Sequence, residues 1–175
     1  FEDNFFESLQ AGAILVHQLD FPALVFRVTR VHTIQIRRKE RGFIATRKGP
    51  LITTATGQPV WNLAAFDFLK TDAPSTVNPS LWRQGQLMAK HGLFKVSDTI
   101  WQVRGFDIAN ITFVKGATGW IVIDTLGSIE TAKAALDLAN EQLGARPVVA
   151  VIYTHSHTDH FAGAAGLIQL ADVRA

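Results

Sequence analysis

The most regular pattern of hydrophobic and polar positions lies in the second half of the chain. Short runs rich in β-branched and aromatic residues at 100–104, 111–115 and 120–124 are separated by turn-like segments at 105–107 and 116–119. Runs of this kind, separated by glycine-containing turns, are typical of sequential strands. The pattern therefore predicts a three-stranded antiparallel meander.

A helix is predicted directly after this meander, and a second strand and helix follow. Ser128 is a suitable N-cap, and apolar residues then recur at helical spacing until Gly144 and Pro147 end the pattern. The run 148–153 is short, apolar and mostly β-branched, which predicts a buried strand. Beyond a polar loop, the Gly- and Ala-rich segment 161–170 predicts another helix. Strands followed by alternating helices and strands indicate a mixed α/β unit.

The first half of the chain is less regular and is expected to pack on something larger. β-branched and basic residues alternate over 25–37, which predicts a half-exposed strand. Proline and glycine recur over 49–79, so this part is predicted to be extended, with one short helix at 63–69. Phe1 is not an initiator methionine, and the last residues form a helix-like run without a cap. Both ends are therefore expected to be cut from a longer protein.

Three segments follow from these patterns. Residues 1–40 form an atypical N-terminal segment or insertion, residues 41–90 an extended arm, and residues 91–175 the first part of an α/β domain. The composition of residues 1–40, with its basic and β-branched stretch over 25–37, differs from that of the rest. One hypothesis is that untranslated or intronic sequence has been included in the coding sequence assigned to the gene. Sequencing the mature transcript and finding the segment present and in frame would remove that hypothesis.

Composition and charge exclude several classes of protein. With 47% apolar residues the chain can bury a core, and it contains no cysteine, which excludes disulfides and thiolate zinc sites. The pI of about 9.2 comes from one stretch, 27–48, which carries eight basic residues and one acid, so that the remainder has a net charge of −5. Nucleic acid is therefore not an expected partner. The basic run 37–41 is interpreted as a solvated face or an artefact, rather than a nucleic-acid or anionic-membrane patch, because no interleaved aromatics or amphipathic helix accompany it.

No membrane or export segment is visible, and the compartment stays open. The apolar stretch 11–28 is interrupted by His17, Asp20, Pro22 and Arg27. It is too polar for a membrane span and lacks the layout of a signal peptide.

The chemistry is concentrated in the loop after the predicted buried strand. His155, His157, Asp159 and His160 fall within six positions, and each is a ligand type for first-row metals. Alternate residues of an extended segment point the same way, so His155 and His157 are predicted to share one ion, and Asp159 and His160 a second. A polar loop with incidental histidines is the alternative interpretation. Zinc suits these ligands, although iron and manganese would accept them as well.

Two such ions would give the loop a hydrolytic role. A pair of metal ions roughly 3.5–4 Å apart can deprotonate a bridging water and neutralise charge on the group being cleaved. Asp159 could hold the resulting hydroxide as well as the metal, which makes it the candidate catalytic residue. Asp124, at the end of a predicted strand, is either a residue that orients a ligand histidine or a simple turn residue.

The motif His155-x-His157-x-Asp159-His160 is the signature loop of the metallo-β-lactamase superfamily, which the chain resembles. Four longer segments are similar to the linear primary alkyl sulfatases in particular, and the similarity runs from about residue 41 to residue 167. These segments are 78–84 (NPSLWRQ), 91–96 (HGLFKV), 119–124 (GWIVID) and 153–157 (YTHSH).

The resemblance implies an αββα metallo-β-lactamase-type sandwich of which only the first part is present, preceded by an extended N-terminal arm. It implies hydrolysis of linear primary alkyl sulfates, of the dodecyl sulfate type, by a hydroxide activated by two zinc ions. In this family the remaining metal ligands and the sulfate contacts lie beyond Ala175, as do the domains that make the full-length enzyme a homodimer. This chain is thus expected to be an N-terminal fragment that binds metal weakly and is inactive alone, since catalytic zinc usually keeps three protein ligands.

Two rival interpretations stay open. One is another hydrolase of the same fold, acting on a thioester, lactam or phosphoester; segments 78–84 and 91–96 speak against it. The other is a non-catalytic remnant. The other conspicuous side chains are predicted to be structural: His17, His32 and His91 as surface or core histidines, and Trp61, Trp82, Trp101 and Trp120 as packing residues.

Overall fold

A computed structural model describes residues 41–169 of the protein. Its strands, in chain order, are β1 (Phe43–Ala45), β2 (Leu51–Thr53), β3 (Pro59–Asn62), β4 (Gly92–Lys95), β5 (Ile100–Arg104), β6 (Ile111–Lys115), β7 (Trp120–Ile123) and β8 (Val148–Ile152). Its helices are the 3₁₀ helix η1 (Leu63–Lys70), α1 (Pro79–Met88), α2 (Ile129–Leu143), α3 (Thr158–Phe161) and the 3₁₀ helix η2 (Ala164–Gly166).

One mixed sheet organises the described residues. Its order is β1-β4-β5-β6-β7-β8, with every neighbouring pair antiparallel except β7 and β8, which are parallel. Strands β2 and β3 form a separate hairpin. The predicted meander is therefore confirmed as β5, β6 and β7.

The core explains why these strands pair in this register. Buried positions alternate along β5, β6 and β7, as expected when one face of a sheet is covered. Phe113 lies opposite Trp101 on one side and Val122 on the other, and its ring packs edge-on against Trp120. Such cross-strand aromatic pairs stabilise the register as well as the core.

Helix α2 covers this apolar face and has the limits that the sequence predicts. The Ser128 hydroxyl accepts a hydrogen bond from the backbone N–H of Thr131 at 3.1 Å, and the helix ends at Gly144 with a φ of 92°. Small residues on the buried face let the helix approach the sheet closely; these are Ala132, Ala135 and Ala139.

The crossover from β7 through α2 to β8 determines where the loops meet. Because β7 and β8 run parallel, both strands finish at the same edge of the sheet, and open α/β sheets bind ligands outside the carboxyl ends of their strands. Strand β8 is confirmed, but its predicted burial is wrong within the described residues, where it pairs with β7 alone. Val149 is 49% exposed and Ile152 is 51% exposed.

The region predicted to be an arm contains more structure than its sequence pattern suggests. The short predicted helix is confirmed as η1, but α1 was not predicted. Its signal is Asn78, whose side chain accepts from the N–H groups of Ser80 and Leu81, followed by Pro79 in the first turn. Strand β1 extends the sheet beside β4, and the Trp61 indole donates to the carbonyl of Gly105 at 2.9 Å.

Several predictions lie outside the described residues. These are the strand over 25–37, the histidines at 17 and 32, and the atypical character of residues 1–40.

Two of the tryptophans predicted to be packing residues, Trp101 and Trp120, are buried in the core. Within residues 41–169 no helix is both long enough and apolar enough to cross a membrane.

Candidate metal centre

The metal-ligand types predicted from the sequence lie at the carboxyl end of β8. The chain leaves β8 in a bent loop that carries His155, and His157 occupies the N-cap position of α3 with φ −73° and ψ 143°. Asp159 and His160 belong to the first turn of α3. The helix thus begins three residues earlier than predicted, and the two pairs of side chains come from different backbone conformations.

The structure brings the three imidazoles of this loop together. The ring centroids of His155 and His157 are 4.5 Å apart, and those of His155 and His160 are 4.0 Å apart. His155 and His157 are exposed, whereas Asp159 and His160 are partly buried. A solvent-facing cluster of imidazoles beside a carboxylate is a donor set that suits zinc.

Asp159 and His160 have a spacing that suits a shared ion. The Asp159 Oδ2 and His160 Nε2 atoms are 3.3 Å apart. Two donors that each lie about 2.0–2.1 Å from a tetrahedral zinc are about 3.4 Å from one another. The pair therefore fits the separation that a common metal ion requires.

Asp124 is buried behind the loop and accepts hydrogen bonds from it. Its Oδ2 lies 2.7 Å from His160 Nδ1, and its Oδ1 accepts from the backbone N–H of Thr154 at 2.8 Å. Burial alone would raise the pKa of Asp124, but hydrogen bonds from Thr154 and His160 outweigh it, so that the pKa is lowered overall. The backbone of Asp124 has a positive φ of 58°, which is uncommon outside glycine. Such backbone conformations concentrate at functional sites.

The turn that follows Asp124 holds the metal loop by backbone contacts. The N–H of Thr125 donates to the carbonyl of His160 at 2.8 Å, and the N–H of Gly163 donates to the carbonyl of Leu126 at 3.0 Å. A Cβ atom at Gly163 would lie 2.0 Å from the carbonyl oxygen of Thr125. Gly163 is therefore required for this close approach. The helix that the sequence pattern predicts over 161–170 is wrong in its bounds, because α3 ends at Phe161 with Ala162 as its C-cap and the short 3₁₀ helix η2 follows at Ala164–Gly166.

Asp107 supports the same turn from the other side. Its Oδ2 accepts hydrogen bonds from the backbone N–H of Gly127 at 3.0 Å and from the Thr131 hydroxyl at 2.9 Å. A Cβ atom at Gly127 would lie 3.6 Å from the Cα of Asp159, so this turn is in contact with the metal loop. Asp107 and Thr154 were not predicted, because each has decisive partners 20 to 30 residues away in the sequence.

The donor set found here is partial. Among residues 41–169, no three His, Asp or Glu side chains are arranged so that together they could hold one metal ion. Among the four predicted ligands, the pair Asp159 and His160 has a donor separation that suits a shared ion, 3.3 Å between Oδ2 and Nε2. The assignment of His155, His157, Asp159 and His160 as metal ligands, and of Asp124 as the residue that orients them, stays a prediction.

Comparison with known proteins shows which family the second half of the chain resembles. The family model of the metallo-beta-lactamase superfamily matches residues 104–175, which include β6, β7, α2, β8 and the histidine loop. These residues are thus similar to the metallo-beta-lactamase superfamily. The predicted fold class is thereby confirmed.

The relatives that resemble the chain over a longer range are alkylsulfatases. An (R)-specific secondary-alkylsulfatase from Pseudomonas is 52% identical over 137 residues, covering 78% of this chain and 20% of the relative. A linear primary-alkylsulfatase from Pseudomonas is 49% identical over 137 residues, covering 77% of this chain and 20% of the relative. The solved structure of the stereoselective inverting sec-alkylsulfatase Pisa1 from Pseudomonas aligns with a TM-score of 0.73 at 51% identity, covering 79% of this chain and 22% of that one.

The chain therefore spans about a fifth of the length of the curated relatives that it matches. Its resemblance to alkylsulfatases is confirmed over this part. The two identities, 52% and 49%, do not separate the secondary type from the primary type.

Proposed function

We propose that this chain is part of a zinc-dependent alkylsulfatase that hydrolyses linear primary alkyl sulfates, of the dodecyl sulfate type, to the alcohol and sulfate. The observation that carries the proposal is the identity of about 50% to alkylsulfatases over more than three quarters of the chain. The position of the histidine loop at the carboxyl ends of β7 and β8 supports it, because substrates of α/β folds bind at such edges.

In this proposal the loop residues divide into two pairs. His155 and His157 would hold one zinc ion, and Asp159 and His160 the other, in line with the 3.3 Å between Asp159 Oδ2 and His160 Nε2. Bound zinc would supply a water molecule activated for attack and positive charge beside the sulfate ester.

The side chains of the protein have separate tasks in the reaction. Asp159 is proposed as the catalytic residue, because its second carboxylate oxygen can accept a hydrogen bond from the attacking water and orient it. Asp124 accepts the Nδ1 hydrogen of His160 and holds that ring in place. His155 and His157 are exposed to solvent, which leaves an approach open for the anionic ester.

The number of donors also supports the second part of the proposal, that these 175 residues alone are inactive. Four donors divided between two ions leave each ion with two, whereas catalytic zinc usually keeps three protein ligands. We expect weak metal binding and no turnover from this chain, and activity from a longer, dimeric protein that supplies the other ligands.

The test joins mass, metal content and activity on one sample. For protein isolated from its natural source, the molecular mass is measured by mass spectrometry and the zinc content by elemental analysis. Sulfate release is measured from dodecyl sulfate and from both enantiomers of 2-octyl sulfate. A longer, two-zinc protein that prefers dodecyl sulfate supports the proposal. Preference for one 2-octyl sulfate enantiomer would replace the primary substrate by a secondary one, and a zinc-free protein without sulfatase activity would overturn the proposal.

The substitution Asp159→Asn in that protein tests the assigned roles, with Asp137→Asn as the matched control. Asp137 lies on α2 and pairs at the surface with Lys133, far from the loop in sequence. We expect Asp159→Asn to lower kcat by at least about 100-fold, the range typical of groups that position a reacting water, and Asp137→Asn to leave it unchanged. Equal activity of the two variants would remove Asp159 from the mechanism.

A non-catalytic remnant is the second candidate, and one observation favours it. No three-donor group is formed among residues 41–169. The same sample distinguishes the two candidates, because a 19.2 kDa protein without zinc and without activity is expected only for the remnant.

A further inference from the structure

Thr154 lies between the buried carboxylate and the histidine loop and contacts both. Its hydroxyl oxygen is 3.0 Å from Asp124 Oδ1 and 2.9 Å from Asp124 Oδ2. The same oxygen is 3.0 Å from His155 Nδ1 and 3.4 Å from His160 Nδ1. One hydroxyl thus touches both oxygens of a carboxylate and two imidazoles.

The number of hydrogens available decides how these contacts are made. A threonine hydroxyl has one hydrogen to donate and two lone pairs, and an ionised carboxylate can only accept. The contact between Thr154 and Asp124 therefore requires the hydroxyl hydrogen, which lies between the two carboxylate oxygens. A hydrogen bond to a charged acceptor is about twice as strong as one between neutral groups, so the carboxylate retains that hydrogen in competition with a neutral imidazole.

The contact with His155 must then run in the opposite direction. With its only hydrogen donated to Asp124, the Thr154 oxygen can only accept from His155 Nδ1, which must carry a hydrogen. His160 Nδ1 donates to Asp124 Oδ2 at 2.7 Å for the same reason. In a neutral imidazole one nitrogen carries the hydrogen and the other has a free lone pair. Both rings are left with a lone pair on Nε2.

We infer that Thr154 is a positioning residue whose hydroxyl fixes the tautomer of His155, so that Nε2 is free to bind a metal ion. Asp124 does this directly for His160, and Thr154 transmits the effect of the same carboxylate to a second histidine. The inference deepens the proposed function and rests on it for the role of the metal, but the tautomer is a property of the metal-free protein. The inference about the tautomer can therefore hold or fail independently of the proposed function.

The test is the tautomer of each histidine in the ¹⁵N-labelled, metal-free 175-residue chain. Two-bond correlation spectra of the imidazole nitrogens, recorded at a pH about two units above the model-peptide histidine value of about 6.5, distinguish Nδ1–H from Nε2–H. We expect His155 and His160 to be Nδ1–H in the wild type. In Thr154→Val, which has the same shape without the hydroxyl, His155 should change to a mixture or to Nε2–H, while His160 stays Nδ1–H because its bond to Asp124 is direct.

Two variants serve as controls. Thr154→Ser keeps a hydroxyl and should keep the wild-type tautomer of His155, whereas Ser156→Ala removes a hydroxyl from the same loop and should change nothing. His157 is an internal control, since His155 and His160 are the two imidazoles that Thr154 contacts among the described hydrogen bonds. A general disturbance of the loop would alter the spectra of all three rings, which a specific role of Thr154 does not predict.

Zinc affinity supplies the second measurement. We expect competition with a chromophoric chelator to show a 10- to 100-fold weaker Kd for Thr154→Val, about the range for loss of a residue that supports a ligand, and a change of less than about threefold for Ser156→Ala. An Nε2–H tautomer of His155 in the wild type, or an unchanged tautomer in a folded Thr154→Val, would overturn the inference. If Thr154→Val does not fold, the wild-type and Thr154→Ser spectra still decide it. Absence of zinc binding by the wild type would count against the proposed function alone.

Discussion

Asp124 has an unusual number of partners for one carboxylate, and its removal is the most direct test at the scale of single residues. It is 7% exposed and accepts from the Thr154 N–H, the Thr154 hydroxyl and His160 Nδ1. In Asp124→Asn one acceptor oxygen is replaced by an NH₂ group, which faces donors. A buried donor without an acceptor costs about 1–3 kcal/mol. We expect the free energy of unfolding, measured in urea with EDTA, to fall by that amount.

The control for this substitution is again Asp137→Asn. That variant loses an exposed ion pair with Lys133 at 2.8 Å. Exposed pairs contribute only about 0–1 kcal/mol, so Asp137→Asn should change the free energy of unfolding less than Asp124→Asn. If the two variants lose the same stability, the bonds of Asp124 are not what holds the loop.

His91 provides a pH-dependent test away from the candidate metal centre. Its Nδ1 is 2.8 Å from the Thr46 hydroxyl, and burial lowers its pKa in the folded protein; Asp67 raises the pKa, and Lys70 and Lys90 lower it further. Below the ordinary histidine pKa of about 6.5, His91 therefore takes up a proton more readily in the unfolded chain than in the folded protein. The contribution of His91 to stability is present above that pH and is lost as the pH falls through the folded-state pKa.

We expect His91→Asn to remove this part of the pH dependence. An asparagine can still hydrogen-bond to Thr46 but does not titrate. Urea unfolding at pH 7.5 and pH 5.5 should show that the wild type loses more stability on acidification than the variant does. The other histidines are common to both proteins and cancel in the difference. A variant that loses as much stability as the wild type would contradict the assignment of this pH dependence to His91.

At the scale of elements, the attachment of α3 to the turn after β7 depends on Gly163. A Cβ atom at this position would lie 2.0 Å from the carbonyl oxygen of Thr125 and 2.6 Å from that of Ser128, both of them backbone atoms that cannot easily move. Overpacking of this kind destabilises by about 1–3 kcal/mol. We expect Gly163→Ala to lower the free energy of unfolding by that amount and to weaken zinc binding, because the turn holds α3 in position.

Gly85 is the matched control for this substitution. It lies inside α1, and a Cβ atom there would meet only the flexible side chain of Leu69, at 3.3 Å. Alanine is favoured over glycine in helices by about 1 kcal/mol. Gly85→Ala should therefore leave the unfolding free energy equal or higher, as measured by urea denaturation. An equal decrease in the unfolding free energy of both variants would mean that the close backbone contacts at Gly163 do not limit stability.

The elements also show what the sequence can predict. Strands β5 to β7 and helix α2 have local signals, in alternation, turns and the cap at Ser128, and all of them are confirmed. Strand β8 is confirmed too, but whether an apolar strand is buried depends on its neighbours, which its own residues do not specify. The contacts of Thr154 with Asp124, and of Asp107 with Gly127 and Thr131, join residues 20 to 30 apart in sequence, so no local pattern reveals them. The motif predicts the site residues at 155–160, and their metal-binding role awaits measurement.

At the scale of the whole molecule, the candidate centre is assembled by topology. The parallel pairing of β7 and β8 places Asp124 and the histidine loop at one edge of the sheet, although 30 residues separate Asp124 from Thr154. The α2 crossover supplies that separation and covers the core at the same time. Stability and function therefore share the segment between residues 124 and 163. Substitutions at the contacts that join the two ends of this segment, at Asp124 and Gly163, are expected to affect both.

The number of donors limits how far zinc can stabilise these 175 residues, and this gives a prediction for the whole chain. A closed structural zinc site contributes about 10–16 kcal/mol of binding free energy. No group of three donors is present within residues 41–169, so we expect micromolar or weaker binding.

A ligand at about 100 times its Kd raises the free energy of unfolding by about 2.7 kcal/mol. Urea unfolding in about 100 µM free zinc, compared with EDTA, should therefore show a gain no larger than about 2.7 kcal/mol for each ion bound. The double variant His155→Ala/His157→Ala should lose most of the gain. A nanomolar Kd with two ions bound would mean instead that residues outside 41–169 complete both sites, and that the chain is closer to a working centre than its described donors indicate.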